Sequence, residues 1–192
     1  MRIIKKFVFG LLLICYSQVA IGQKAIDSNV KLFAERNLQL VLEKIPANDE
    51  ISFGFNNREE FKIAVLGEPL EFIWYASTND TSSKVWRVPI VVNGEYRALL
   101  NVQKVKNNYK VTDFGASVLA VDIQKAINEN TDKKINGILR FATITSDFLI
   151  VSKGEREEYL PLTSAKMFIN SRNLELQTTY SPSDLIELLN KR

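Results

Sequence analysis

The sequence predicts an α+β fold: a mostly antiparallel sheet, built around a β-meander and packed with amphipathic helices, in a single compact domain. Two observations predict it. Apolar residues recur at helical spacing near both ends of the chain and once in its middle, and runs of β-branched and aromatic residues lie in consecutive groups joined by turn dipeptides such as Asn93-Gly94. Strands grouped in this way pair with their neighbours in the chain, so the sheet is expected to be mostly antiparallel.

The first helix is predicted over residues 28–45, where apolar residues recur at spacings of three and four and so share one helical stripe. The stripe consists of Val30, Ala34, Leu38, Val41 and Ile45. Pro46 ends this helix because proline cannot donate the next backbone hydrogen bond. A second helix is predicted over 57–66, where Asn57 can cap the first turn and Glu60 supplies the acceptor three residues on.

Residues 70–77 have the aromatic and β-branched content of a strand. Because side chains alternate along a strand, Phe72 and Trp74 share one face, and Ile73 and Tyr75 share the other. The strand therefore either lies centrally between two layers or offers one face as a binding surface. The supply of helices favours the central position, and Trp74 and Tyr75 are the natural anchors if a binding surface exists.

Residues 84–105 predict a β-hairpin that turns at Asn93-Gly94. A two-residue turn would set apolar residues against charged ones, so we expect a three-residue bulged loop that pairs Ile90 with Tyr96. The outward side chains would then include Arg87 and Arg97. These two arginines, with Tyr109 on the next strand, are the further candidates for binding.

The rest of the chain predicts a strand over 109–114, a helix after residues 115–117, and strands over 138–144, 148–152 and 157–162. A fourth strand is expected over 167–170. Ser181-Pro182-Ser183-Asp184 is typical of a helix start, with a capping serine, a first-turn proline and an acid at the positive helix end. A weak division near the polar segment 130–136 gives two possible halves, 23–130 and 131–192, of one domain.

Residues 1–22 are interpreted as a signal peptide. They contain a basic start (Arg2, Lys5 and Lys6), an apolar stretch over 7–16 and a small-x-small cleavage site before Gln23. The apolar stretch is shorter than the roughly 20 residues that a membrane-spanning helix needs. We therefore expect the protein to be exported to the periplasm, the cell surface or the medium, with no stable membrane insertion after cleavage.

Removal of the leader would change the charge balance. The whole chain has 25 basic and 22 acidic residues, and cleavage would leave 22 of each. A neutral chain has no overall attraction for polyanions, which argues against nucleic acid or an anionic membrane as partner, although a local patch stays possible.

The composition excludes several kinds of catalysis. The chain has no histidine, and its only cysteine, Cys15, lies in the leader. Imidazole-based triads, thiol nucleophiles and the usual zinc, iron–sulfur and haem ligands are therefore missing from the mature chain. We predict no catalytic residue, no metal ligand and no cofactor.

Three functions remain open. The first hypothesis is an exported, non-enzymatic module that binds a protein or a cell-envelope component. The second is a carboxylate-dependent envelope hydrolase that uses a pair of glutamates. Its candidates form two sets, Glu59, Glu60, Glu68 and Glu71, and Glu155, Glu157 and Glu158. The third is a carrier with a cavity for a small apolar ligand.

Overall fold

The computed structural model describes residues 28–75 and 84–190. Its strands are β1 Val65–Leu66, β2 Leu70–Tyr75, β3 Lys84–Val92, β4 Glu95–Val105, β5 Asn108–Gly115, β6 Lys134–Phe141, β7 Ser146–Lys153 and β8 Arg156–Pro161. Its α-helices are α1 Ser28–Leu42, α2 Glu60–Ile63, α3 Ser117–Glu129, α4 Thr163–Ser171 and α5 Pro182–Asn190. The predicted leader lies outside the described residues.

The strands form one eight-stranded sheet in the order β5-β4-β3-β2-β6-β7-β8, and β1 pairs with β3. Pairing between the described strands is antiparallel except between β2 and β6, which run parallel. This confirms the predicted α+β class and the β3-β4-β5 meander. Because β2 and β6 come from the two predicted halves, their pairing joins those halves into one sheet.

Helices cover both faces of the sheet. On one face, α1 packs against β3, β4 and β5, and the predicted stripe from Val30 to Ile45 is buried there. The same face of β6, β7 and β8 is covered by α4 and α5. On the other face, α3 packs on β4 through Ala120, Ile123 and Ala126. We call these the α1 face and the α3 face.

The predicted hairpin register is wrong. Asn93 and Gly94 have φ angles of 52° and 83°, as a two-residue hairpin turn requires, and Val92 pairs directly with Glu95. The bulge lies further along, since Val91 pairs with Tyr96 but Ile90 pairs with Ala98. The extra residue, Arg97, corrects the mismatch between apolar and charged side chains that had argued against a tight turn.

The second helix is shorter than predicted. It begins at Glu60 instead of after Asn57 and ends at Ile63, with Glu59 at the N-cap position. The bond of Asn57 Oδ1 with the Glu59 N–H, at 3.0 Å, lies in the turn before the helix. Val65 and Leu66 pair with β3 instead of continuing the helix, because that pairing buries Leu66 against the α1 face.

The C-terminal region contains one error and one confirmed prediction. The strand expected over 167–170 is part of α4, whose Ala165 and Ile169 are buried one helical turn apart. Asp122 from α3 accepts the Thr163 N–H at 2.7 Å and so caps α4 from another helix, which no local pattern indicates. The helix predicted after Ser181 is α5, with Leu185 and Leu188 buried.

Candidate functional site at one end of the sheet

The candidate site lies where β2 ends. Phe72 pairs with Val85, and Lys84 pairs with Lys104, so Ile73 lies level with these two lysines along the sheet. One residue further toward the end of the sheet, Trp74 of β2 is level with Val105 of β4. The next step brings Tyr75 level with the turn between β4 and β5. Strands lie about 4.8 Å apart, so the four strands from β2 to β5 span about 15 Å here.

The aromatic residues of this end are held on a strand and half exposed. Trp74 is 56% exposed on the α3 face, and Tyr75 is 54% exposed on the α1 face. The Trp74 ring lies 6.0 Å from the Phe72 ring, and the Tyr75 ring lies 4.9 Å from the Phe141 ring. These contacts fix the base of each side chain while leaving the outer part open, which is the arrangement of an interface anchor.

Lysines lie around these aromatic residues. Together the cations and the exposed apolar side chains form what we call the lysine-aromatic end, which consists of Ile73, Trp74, Tyr75, Lys84, Lys104, Val105, Lys106 and Lys110. The segments 72–75, 84–87 and 101–111, which build it, contain no acidic residue. The local charge is therefore positive in a chain whose mature form is expected to be neutral.

Arg87 is not outward, as the hairpin prediction required, but buried with 7% of its surface exposed. Its guanidinium carbon lies 3.9 Å from the centre of the Phe72 ring, on the α3 face just inside Trp74. Nε and Nη1 are buried without a hydrogen-bond partner among the described residues. Burial, together with repulsion from Arg140, lowers the pKa of Arg87 to about 10, so the group stays charged at neutral pH.

Arg140 approaches the same ring from β6, with its guanidinium carbon 5.8 Å from the ring centre. Unlike Arg87, it forms a two-bond ion pair: Nε and Nη2 each donate to a different oxygen of Asp147 at 2.7 Å. Ser164 Oγ accepts the Asp147 N–H at 2.9 Å, which links this pair to α4. The hydrogen bond to Asp147 raises the pKa of Arg140.

Of the remaining two predicted binding residues, Tyr109 borders the lysine-aromatic end beside Lys104, and Arg97 lies away from it. Tyr109 is on the α1 face, partly buried between Phe33 and Trp86, with Lys104 above its ring. Arg97 is at the opposite end of the hairpin, where it forms ion pairs with Glu60 and Glu95. The structure therefore places Trp74 and Tyr75 at the same end of the sheet but on opposite faces, with Arg87 buried on the face of Trp74. Tyr109 borders this end, and Arg97 lies outside it.

Sequence reasoning missed the four lysines. The expected net charge of zero gave no indication of them, because net charge is a sum over the whole chain and does not report where the charges cluster. Lys104, Lys106 and Lys110 are close in the sequence and flank a predicted turn. That spacing was the available signal, because a turn between two antiparallel strands brings their ends together.

At least five of the seven glutamates proposed for hydrolysis contact a basic or phenolic side chain. Glu59 pairs with Lys62, Glu60 with Arg97 and Glu68 with Lys31. In the second set, Glu158 accepts a hydrogen bond from Lys133 at 2.8 Å, and this bond lowers the pKa of Glu158. A general acid needs the opposite shift, so these contacts favour a structural role.

Two further features bear on metal and ligand binding. No group of three or more potential metal-ligating residues occurs among residues 28–75 and 84–190. A cavity of about 130 Å³ lies between the segment 174–180 and α5, and its lining includes three acidic residues, Glu175, Asp184 and Glu187. Its volume is below the roughly 300 Å³ at which ligand pockets begin, and its acids do not suit an apolar ligand.

Comparisons with known proteins identify no relative. No family model, no curated protein and no solved structure matches this chain. Within the described part of the chain, no helix is long and apolar enough to cross a membrane.

Proposed function

We propose that this protein is an exported, non-enzymatic module that binds a protein or a cell-envelope component through the lysine-aromatic end. The observation that carries the proposal is the pair Trp74 and Tyr75, both more than half exposed on a paired strand. Large aromatic side chains supply most of the binding energy at interfaces, and a strand presents them with little loss of conformational entropy.

The rest of the molecule supports binding rather than chemistry. The chain contains no histidine, and the contacts of Glu59, Glu60, Glu68 and Glu158 fit ion pairs that stabilise the fold. Arg87 and Arg140 brace Phe72 from two strands, and so they stiffen the base on which Trp74 lies. Export places such a surface among envelope components.

The test is co-sedimentation of the purified protein with isolated bacterial envelopes. We expect the wild-type chain to sediment and the double variant Trp74→Ala/Tyr75→Ala to stay in the supernatant. The matched control is Val118→Ala/Val121→Ala, which truncates two residues of α3 that are 82% and 58% exposed. Helix α3 bonds the opposite end of the hairpin, where Gln124 contacts Gly94 and Tyr96. Equal sedimentation of all three proteins would contradict the proposal, provided that their unfolding curves agree.

A further inference from the structure

We propose that the lysine-aromatic end docks on the surface of an anionic phospholipid membrane. This inference rests on the proposed function and names its partner. The protein would lie on the membrane with the end of its sheet toward the lipid headgroups, and it would not span the bilayer.

The first argument is charge. Lys84, Lys104, Lys106 and Lys110 lie on the ends of three adjacent strands and on one turn, and the segments that carry them have no acidic residue. Each lysine near an anionic surface strengthens binding about five-fold. Four such residues on a footprint about 15 Å wide give a local attraction that the expected neutral net charge conceals.

The second argument is the apolar content. Trp74 and Tyr75 are the two residue types that concentrate at the membrane–water interface, where the ring is buried and the polar atom stays wet. Two aliphatic residues accompany them, Ile73 at 38% and Val105 at 41% exposed. All four lie within three residue levels at one end of the sheet, with Trp74 and Tyr75 on opposite faces, so the membrane would contact both only by meeting the end of the sheet and not either face.

The third argument separates lipid from an acidic protein. Protein–protein interfaces are enriched in arginine and depleted in lysine. Here the exposed cations are the lysines Lys84, Lys106 and Lys110, and Lys104 is partly exposed. In contrast, Arg87 is buried and Arg140 is paired with Asp147. Lysine has a long flexible stem that lets its charge reach headgroups while aromatic rings enter the interface. The composition of the lysine-aromatic end therefore favours a lipid surface.

The test is flotation of the purified protein with lipid vesicles of two compositions. We expect binding to vesicles rich in phosphatidylglycerol and none to vesicles of pure phosphatidylcholine, with binding lost at high salt. Free glycerol phosphate should not compete, because docking requires an extended surface. Competition by glycerol phosphate, or equal binding to both kinds of vesicle, would overturn the proposal.

The variant Lys84→Gln/Lys106→Gln/Lys110→Gln tests the charges. It leaves Lys104 in place because that residue contacts Tyr109. We expect a loss of about 100-fold in vesicle affinity, at five-fold per lysine. The control Lys62→Gln/Lys125→Gln/Lys153→Gln has the same net charge but changes exposed lysines outside the site, and it should bind like the wild-type chain. An equal loss in both variants would show a net-charge effect and contradict the proposal.

Fluorescence gives a second readout that does not depend on the variants folding equally well. The chain has two tryptophans, of which Trp74 is exposed and Trp86 is 5% exposed. Brominated lipids should quench the wild-type emission through Trp74 and leave Trp86 unaffected. In Trp74→Phe the remaining emission should therefore not be quenched. Quenching that persists in this variant would place another part of the protein against the membrane.

The two proposals fail in different ways. If the wild-type chain sediments with envelopes through Trp74 and Tyr75 but does not float with anionic vesicles, the lipid proposal is wrong and the binding module stands. If the chain then binds an acidic polypeptide such as polyglutamate in place of vesicles, the partner is a protein. If neither envelopes nor vesicles bind, both proposals fall.

Discussion

The guanidinium of Arg87 lies over the ring of Phe72 at 3.9 Å, yet two of its nitrogens have no acceptor among the described residues. A cation over an aromatic face recovers part of the energy lost when a charge leaves water, but it does not replace hydrogen bonds. Arg87 is therefore buried at a cost to stability. It forms the inner wall of the lysine-aromatic end, next to Trp74.

Replacing Arg87 by methionine should stabilise the protein. Methionine fills a similar length without a charge, and it removes two buried N–H donors that lack partners. We expect the free energy of unfolding to rise by about 1 kcal/mol, measured by urea denaturation. A clear decrease would mean that Arg87 has an acceptor that stabilises the fold.

The same substitution at Arg140 should have the opposite effect. Asp147 is 2% exposed, and Arg140 holds both of its carboxylate oxygens. Arg140→Met would leave this carboxylate buried without its cation, so we expect a loss of about 3 kcal/mol in the free energy of unfolding. Both arginines approach the Phe72 ring, but only Arg140 forms an ion pair with Asp147. Changes of opposite sign in the free energy of unfolding would therefore separate the effect of the ion pair from that of the ring contact.

Gly137 sets the contact between the two halves of the sheet. It pairs with Glu71 across the parallel β2–β6 junction, and a Cβ at this position would lie 2.5 Å from the Glu71 carbonyl oxygen. Gly137→Ala should therefore force these strands apart and lower the free energy of unfolding by about 3 kcal/mol. The control is Gly154→Ala in the β7–β8 turn, where nothing lies within 4 Å and only backbone strain of about 1 kcal/mol is expected.

Much of the fold was predictable because the relevant signals are local. The α1 stripe, the meander and the start of α5 each depend on spacing or turn residues within a short segment. The hairpin register was not predictable from the sequence, because the Asn93-Gly94 turn and the alternation of apolar residues indicated different strand pairings. Both were satisfied by a bulge at Arg97, and bulges have no strong local signature.

The candidate site was predicted in part for the same reason. Alternation along β2 identified Trp74 and Tyr75, but whether they were core or surface depended on where β3 begins and how far the helices extend. Arg87 was placed outward by assuming that the second face of β3 meets solvent, whereas Arg87 is buried there with its guanidinium over Phe72 of β2. The grouping of the lysines depends on pairing between strands, which a single sequence does not report.

The leader makes a separate prediction. If residues 1–22 are removed on export, mass spectrometry of the secreted or periplasmic protein should find Gln23 as the first residue. The Lys5→Glu/Lys6→Glu variant weakens the basic start and should slow processing, so that full-length protein accumulates. Recovery of intact full-length protein as the mature form would contradict the export hypothesis.

The start of α5 gives a prediction of pH dependence. Ser181 N–H donates to Asp184 Oδ2 at 3.1 Å, Ser181 Oγ–H donates to the same oxygen at 2.7 Å, and Asp184 N–H donates to Ser181 Oγ at 3.2 Å. These bonds favour the ionised carboxylate, so hydrogen bonding to Ser181 lowers the pKa of Asp184 below its ordinary value.

A group whose pKa is lower in the folded chain than in the unfolded chain stabilises the fold when it is ionised in both. The Asp184 contribution should therefore be complete above about pH 4, the pKa of an unfolded aspartate, and should disappear as the pH falls through the lower, folded-state pKa. Ser181→Ala removes the side-chain bonds, so the pKa of Asp184 should rise toward its ordinary value. NMR titration of the Asp184 carboxyl carbon measures this shift directly.

The same variant should lower the free energy of unfolding at neutral pH by about 1 kcal/mol, the usual value of a serine cap. The difference in this free energy between wild type and variant should become smaller as the pH falls through the folded-state pKa of Asp184. Below that pKa, Asp184 is protonated and is no longer the carboxylate that accepts the hydrogen bonds of Ser181. Ser183→Ala is the control: it removes the 2.8 Å contact between the Ser183 and Ser181 hydroxyls but leaves the bonds between Ser181 and Asp184 in place. If the difference in the free energy of unfolding between the wild type and Ser181→Ala does not change with pH, the Ser181 cap stabilises α5 without the charge of Asp184.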